Sequence, residues 1–411
     1  MTYKIAMVYL NKDYNVGVGA GYIASTIQQQ GHFLTFFDTT YISLEDIILN
    51  LSTNEYDFLL ISANTMFYKD AVKLAVEAKR VNKNIKILLG GIHATILKGG
   101  ILENCSYIDY ICIGEGEEFV VDFLNKYNTP ALHTIQNLGY RDESGVIRIN
   151  SVRACTDLNK LPLFKWDLFP VPSIVNPGPL PGFCYVFATR GCPYNCTYCC
   201  NSFWLDLYKS SYLRKRDINK VISELLYLKN TYPVHTFYFA DEMILFDMQY
   251  TTELLHRVKK EIQLPYGCMA RVEKITPEVV NLFSETGCRY VGMGIECGDE
   301  IFRKTFLNRH MSNEQIICAF TELRKVPGLK IASYNMKGYP VDYDCELTKK
   351  TLALNDLIKP DFMGMSIFYP FPGTKLYDYC VQNDKIDYKK LVTITNYYIE
   401  SVLKNCNITG S

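Results

Sequence analysis

Residues 183–200 read FCYVFATRGCPYNCTYCC. The opening FCYVF is a short apolar run with aromatic and β-branched side chains, the pattern of a buried strand. After Gly191 the chain sets Cys192, Cys196 and Cys199 in a C-x3-C-x2-C array. A strand that runs straight into a cysteine loop predicts an α/β sheet with its chemistry at the carboxyl edge. Three thiolates at this spacing suit an iron–sulfur cluster in which one iron keeps no protein ligand and is open to a small molecule. A mononuclear zinc site is the alternative. It wants four ligands, there is no second C-x2-C or H-x3-H pair, and Cys184 or Cys200 would have to complete it.

On the carboxyl side of this stretch, apolar strands alternate with helical patterns: TFYFADE (236–242), PYGCMAR (265–271), YVGMGIE (290–296), KIASYNMKG (330–338) and FMGMSIFYP (362–370) each follow or precede a segment of helix periodicity. With the opening strand this makes six units over 183–375, a (βα)6 partial TIM barrel. The remaining 376–411 form a short helical extension, with LVTITNYYIESVLKN (391–405) as its helix.

On the amino side, residues 1–130 hold five apolar strands interleaved with helices, the signature of a doubly wound parallel-sheet, Rossmann-like domain. Its loops NVGVGAGY (15–22), GGIHAT (90–95) and GEGEE (114–118) put glycines where a backbone must approach a ligand. Residues 131–182 are a connector: LGYRDESGVIRIN (138–150) reads as a hairpin, and LPLFKWDLFPVPSIVNPGPLPG (161–182) is too rich in proline for a helix or central strand.

Composition agrees with two such domains. The chain has 411 residues, 48% hydrophobic and 21% charged, enough to build two cores. Lys and Arg total 43, as do Asp and Glu, so no global positive field draws the chain to nucleic acid or anionic lipid. The start MTYKIAMVYLNKDYN reads as a first strand rather than an export signal, and no apolar run approaches the ~18 residues of a membrane span. The expected location is the cytoplasm, where most of the fifteen cysteines stay reduced. Eleven of them, such as Cys112 and Cys318, stand singly among apolar neighbours as small hydrophobes.

The cysteine loop resembles that of the radical S-adenosylmethionine (SAM) superfamily, and TRGCPYNCTYC is close to the wording of its cobalamin-binding branch. The resemblance implies a [4Fe-4S] cluster on Cys192, Cys196 and Cys199 whose open iron chelates SAM, with Tyr198 against the adenine. Further segments match in order around the barrel: FADEMILFD (239–247) implies that Asp241 and Glu242 hold the SAM amino group, CMARVEKIT (268–276) and VGMGIECGDE (291–300) that Arg271 and Glu296 meet its ribose or carboxylate, and NMKGYPVD (335–342) a glycine turn at Gly338. FYPFPGTKLYD (368–378) matches the sixth-strand segment, so nearly all of 183–379 is covered. Singly, Glu296 could be a strand-end ion pair and Arg271 a surface cap.

The first domain is similar to the cobalamin-binding domains that precede such barrels. The resemblance places Gly17, Ser62, Thr65, Gly90, Gly91, His93, Thr95, Gly114 and Gly116 around the corrinoid and its nucleotide tail. It departs from many corrinoid proteins in lacking the Asp-x-His-x-x-Gly pattern: the first loop reads NKDYNVGVG, with no His two residues after Asp13. Cobalt without a His ligand from that loop is implied, and His93 would meet the tail or serve packing. Dinucleotide binding is the competing reading, since Gly17-x-Gly19 follows a strand and Asp38 ends the next, but Tyr22 stands at the third glycine position. A vestigial domain that binds nothing is a third.

For the whole chain the resemblance implies a methyltransferase acting on an unactivated carbon through a 5'-deoxyadenosyl radical and methylcobalamin. A non-methylating cyclase or rearrangement enzyme of the same family is the alternative, and a zinc- or nucleotide-binding module is the alternative of a different class. The implied partners are a peptide, carrier-bound or small-molecule substrate and an electron donor such as flavodoxin or ferredoxin.

Overall fold

A computed structural model describes residues 1–13, 15–175, 178–393 and 400–404. The chain forms two compact units, Met1–Ile174 and Val175–Ser411. Among the described residues no helix is long and apolar enough to cross a membrane.

The first unit is built on a sheet of seven strands: β1 (Lys4–Tyr9), β2 (Phe33–Asp38), β3 (Phe58–Ser62), β4 (Lys86–Gly90), β5 (Tyr110–Cys112), β6 (Leu138–Arg141) and β7 (Ile147–Ile149), in the order β2-β1-β3-β4-β5-β6-β7. β1 to β5 pair in parallel, and β6 and β7 add antiparallel. Alternate strand residues feed two cores. Val8, Leu59, Ile61 and Leu89 bury one face with the helices Leu44–Thr53 and Tyr68–Val81, while Ile5, Met7, Phe58 and Leu60 bury the other with Val18–Gln29 and Glu117–Lys126. Each fully buried Leu, Ile or Phe is worth about 1.5–3 kcal/mol of transfer free energy, so both faces are firmly specified. The order 2-1-3-4-5 is that of flavodoxin-like sheets, and its switch point lies between the carboxyl ends of β1 and β3. The dinucleotide fold runs 3-2-1-4-5-6, so the order adds a second argument, beside Tyr22, against the dinucleotide reading.

The hairpin β6–β7 turns at Gly145 and extends this sheet. The proline-rich stretch after it also packs on the first unit: the Phe164 ring lies over Gly21, where a Cβ would come within 2.2 Å of it, and edge-on to Tyr22 at 5.0 Å.

The second unit carries β8 (Phe183–Val186), a two-stranded ribbon of β9 (Thr189–Arg190) and β10 (Arg214–Lys215), then β11 (Thr236–Phe239), β12 (Tyr266–Ala270), β13 (Cys288–Glu296), β14 (Lys330–Lys337) and β15 (Phe362–Ile367). Apart from the ribbon, the strands form one parallel sheet in which each is the neighbour of the next: β8-β11-β12-β13-β14-β15. Such an unreversed order curls a sheet toward a barrel and leaves six strands as a half-barrel. One face buries Phe237, Phe239, Val291 and Met293; the other carries Tyr185, Tyr238, Tyr290 and Tyr334, with the Tyr290 and Tyr334 hydroxyls 2.9 Å apart.

After β15 the chain forms the helices Lys375–Gln382 and Tyr388–Thr393, and Leu403 returns antiparallel to Ile386. Residues 394–399 and 405 of the helix expected at 391–405 lie outside the described residues, and its described part 400–404 is not helical.

Candidate functional site

The cysteine loop leaves β9 through Gly191, whose φ of +105° is open to glycine and where a Cβ would stand 2.4 Å from the Tyr212 carbonyl oxygen. Cys196 is buried, Cys192 and Cys199 are half-buried, and Cys199 precedes the helix Cys200–Tyr208. Cys200, already helical, is exposed. Burial pushes the Cys192 thiol up to about 11, so a metal that binds there must displace a proton. Among the described residues no three His, Cys, Asp or Glu side chains converge as a cage for a single ion. A cluster takes its thiolates at separate corners and makes no such demand.

The carboxyl ends of the next strands face this loop. Arg271, just past β12, donates from Nη1 to the sulfur of Cys196 (3.5 Å), from Nη2 to Glu273 (2.6 Å), and lies 3.6 Å over the Tyr194 ring. Its Nε and Glu273 Oε2 are buried with no partner. A guanidinium against a cysteine sulfur offsets thiolate charge, so this donor set fits a bound cluster. Glu242 is exposed and accepts from the Gly191 N–H at 3.2 Å, tying the β11 end to the start of the loop.

Asp241 is not brought to that opening. Its carboxylate is fully buried and accepts from the Ala188 N–H (3.1 Å), the Thr189 N–H (2.5 Å) and the Thr189 hydroxyl (2.5 Å), so it is a strut between β11 and the β8–β9 segment. Burial, then the Glu242 charge, raise its carboxyl to about 7 against those hydrogen bonds.

Glu296 ends β13 at a register irregularity, with φ +68°, which re-aims its side chain. Its carboxylate lies 3.6 Å from Arg309 Nη1, and its carbonyl oxygen accepts from the Tyr339 hydroxyl at 3.2 Å. Tyr339 follows Gly338 in the turn after β14, and Asp344 Oδ1 accepts its N–H at 2.8 Å. The Tyr198 hydroxyl accepts from Arg309 Nη1 at 3.2 Å. The structure therefore gathers the three cysteines, Tyr198, Glu242, Arg271, Glu296 and the Gly338 turn at one end of the half-barrel. Glu273, Arg309 and Tyr339 belong there too; Glu273 and Tyr339 lie inside matched segments without having been singled out, and Arg309 lies in none.

In the first unit Tyr9, Ser62 and Gly90 share one rung at the carboxyl ends of β1, β3 and β4. Gly91 follows with φ +99°, its Cα so close to the Ala63 backbone that a Cβ would stand 2.4 Å from the Ala63 oxygen. The Thr95 hydroxyl donates to Gly91 O (2.9 Å) and accepts from the Gly114 N–H (3.0 Å), joining the β4 and β5 loops. His93 Nδ1 pairs with the Thr65 hydroxyl at 3.1 Å, its ring lies 4.3 Å from that of Tyr68, and its Nε2 is buried with no partner. Burial lowers its pKa to about 4, so the imidazole is neutral. A neutral orphaned nitrogen, and open space at Gly90 where a Cβ would meet only Cys112 at 3.7 Å, fit a bound corrinoid. Gly17 and Gly116 open the helices Val18–Gln29 and Glu117–Lys126, and Gly116 packs against Ile23 on the first of them.

Two family models match: B12 binding domain over residues 12–124 and Radical SAM superfamily over 186–349. A sheet of the flavodoxin-like order followed by a half-barrel with three cysteines after its first strand defines the class: the chain joins a B12 binding domain to a radical SAM domain. An uncharacterized methyltransferase of Pyrococcus horikoshii is 27% identical over 387 residues, 92% of this chain and 82% of that protein. An anaerobic magnesium-protoporphyrin IX monomethyl ester cyclase of Cereibacter sphaeroides is 24% identical over 398 residues, 91% of this chain and 62% of the cyclase. The fold is that of the radical SAM methyltransferase TsrM of Kitasatospora setae, solved with cobalamin and [4Fe-4S] cluster bound. The TM-score is 0.71 at 14% identity over 93% of this chain and 75% of that one. OxsB, a cobalamin-dependent SAM radical enzyme, gives 0.69 at 16% identity over 95% and 56%.

Proposed function

We propose that this chain is a cobalamin-dependent radical SAM methyltransferase that alkylates an unactivated carbon of a peptide, carrier-bound or small-molecule substrate. When bound, the cluster with SAM supplies the organic radical and the corrinoid supplies the methyl group. The observation that carries the reading is the cysteine loop itself: three half-buried or buried thiols with a guanidinium on the middle one, at the carboxyl edge of the half-barrel.

Cys192, Cys196 and Cys199 hold the cluster, and the exposed Glu242 is the carboxylate free to take the SAM amino group. Asp241 keeps Glu242 in place from behind rather than touching SAM. Tyr198 lies against the adenine, Arg271 and Glu296 orient ribose and carboxylate, and the Gly338 turn offers backbone to SAM. Ser62, Gly90, Gly91, His93, Thr95 and Gly114 cradle the corrinoid tail, with Thr65 fixing the His93 ring. Holding SAM by several groups of the half-barrel at once fixes its orientation at the cluster. An electron carrier such as flavodoxin or ferredoxin serves as reductant.

A second reading, ring formation without methyl transfer, is favoured by the cyclase relative of Cereibacter sphaeroides. Anaerobic reconstitution tests the site first. The wild-type chain should turn brown and bind iron, sulfide and one hydroxocobalamin, and a colourless chain that holds zinc would overturn the proposal.

A further inference from the structure

The cysteine loop is held from outside the barrel strands by one turn of chain, Phe306–Arg309, that follows the helix Glu300–Thr305. The Thr197 N–H donates to Leu307 O (3.2 Å) and its hydroxyl to Phe306 O (2.7 Å). Asn308, at φ +53°, donates from its amide to Asn195 O (2.6 Å). Three bonds, two of them to its backbone, thus pin the loop on either side of Cys196.

Arg309 does something different. Its side chain is 6% exposed, and its guanidinium reaches no cysteine backbone. Nη1 donates to the Tyr198 hydroxyl at 3.2 Å and faces the Glu296 carboxylate at 3.6 Å, Nη2 donates to the Gly294 carbonyl, and Nε is buried with no partner. Tyr198 comes from the cysteine loop and Glu296 from the end of β13, about one hundred residues apart in sequence. Nη1 faces both while Nη2 anchors the planar fork on Gly294, where Glu296 is already held in a left-handed conformation.

We propose that Arg309 is the positioning residue of the SAM site: it acts through Tyr198 and Glu296, whereas Asn308 and Thr197 serve retention of the cluster. The proposal rests on the reading of the cysteine loop given above. A lysine would keep the charge but could not hold the Tyr198–Glu296 pair and the Gly294 carbonyl at once, so Arg309→Lys separates geometry from charge.

The test uses the full chain, reconstituted with iron and sulfide, reduced, and titrated with SAM while the electron paramagnetic resonance of the cluster is followed. Arg309→Lys should keep wild-type iron content and need about tenfold or more SAM to shift the signal, the size expected for one lost charge-assisted hydrogen bond. Asn308→Gly, which tolerates the positive φ and lacks the amide, should lose iron while its remaining clusters respond to SAM as wild type does. Arg309→Lys that loses iron, or that responds to SAM at wild-type concentrations, overturns the proposal. A wild-type chain that forms no cluster would instead overturn the reading of the loop, an outcome distinct from either.

Discussion

Arg271 Nη1 lies 3.5 Å from the sulfur of Cys196, and both side chains are buried. A fixed positive charge this close to a ligand sulfur stabilises the more negative, reduced state of a cluster. Arg271→Gln should therefore lower the midpoint potential in the absence of SAM, on the order of 50–100 mV for a lost charge-assisted bond in a one-electron couple. Potentiometric titration of the cluster signal measures it; an upward shift would show that the guanidinium does not face the cluster.

Asp241 gives a pH signature in the apoprotein. Its carboxyl is raised from 3.8 to about 7 by burial. The native state then binds the proton more tightly than the unfolded one. Its stabilising contribution is complete below pH 4 and is lost as the pH rises through about 7. Thermal unfolding of wild type and Asp241→Asn should converge in slope above pH 8, and between pH 4 and 7 the wild type should lose a few kcal/mol relative to the variant. Parallel curves from pH 4 to 8 would place the ionised carboxylate in the native state.

His93 has the opposite sign. Burial lowers its pKa from 6.5 to about 4. The unfolded state binds the proton more tightly, so stability is full above pH 6.5 and declines as the pH falls toward 4. The imidazole proton resonance of His93 should stay at its neutral position down to about pH 5. Titration near 6.5 would mean that Nε2 reaches water.

Gly90 and Gly91 are adjacent and should behave differently. A methyl group at Gly90 meets only Cys112 at 3.7 Å, so Gly90→Ala should fold with unchanged Tm and weaken hydroxocobalamin binding by filling the cradle. At Gly91 the added Cβ would strike the Ala63 oxygen at a φ of +99°, a strain of about 1–3 kcal/mol or more, and Gly91→Ala should lower Tm. Absorbance titration with hydroxocobalamin beside thermal unfolding reads both; Gly90→Ala that binds the corrinoid as wild type does would remove Gly90 from the site.

The strands and the cysteine loop were legible because each announces itself locally: FCYVF, TFYF and YVGMGI are apolar runs, with Cys192 and Glu242 a few residues beyond the first two and Glu296 at the end of the third. What local pattern could not convey is which distant backbone a polar side chain serves. Asp241 and Glu242 read as an equivalent pair, yet Asp241 shares the alternation of Phe237 and Phe239, both buried, and that phase alone points it away from its neighbour. Arg309 lies in FLNRH, with no periodicity, and its partners are Tyr198 and Glu296 far back in the chain. The proline-rich stretch reads as a crossing, but Gly21 on the first helix leaves a gap that the Phe164 ring fills. That complementarity exists only after folding.

The central claim is tested most directly by anaerobic incubation with reductant and SAM, with and without hydroxocobalamin, following 5'-deoxyadenosine and S-adenosylhomocysteine by mass spectrometry. The account predicts both products from the wild-type chain, the second dependent on corrinoid, and neither from Cys196→Ala. Production of 5'-deoxyadenosine alone, indifferent to corrinoid, would contradict methyl transfer and leave the ring-forming reading in its place.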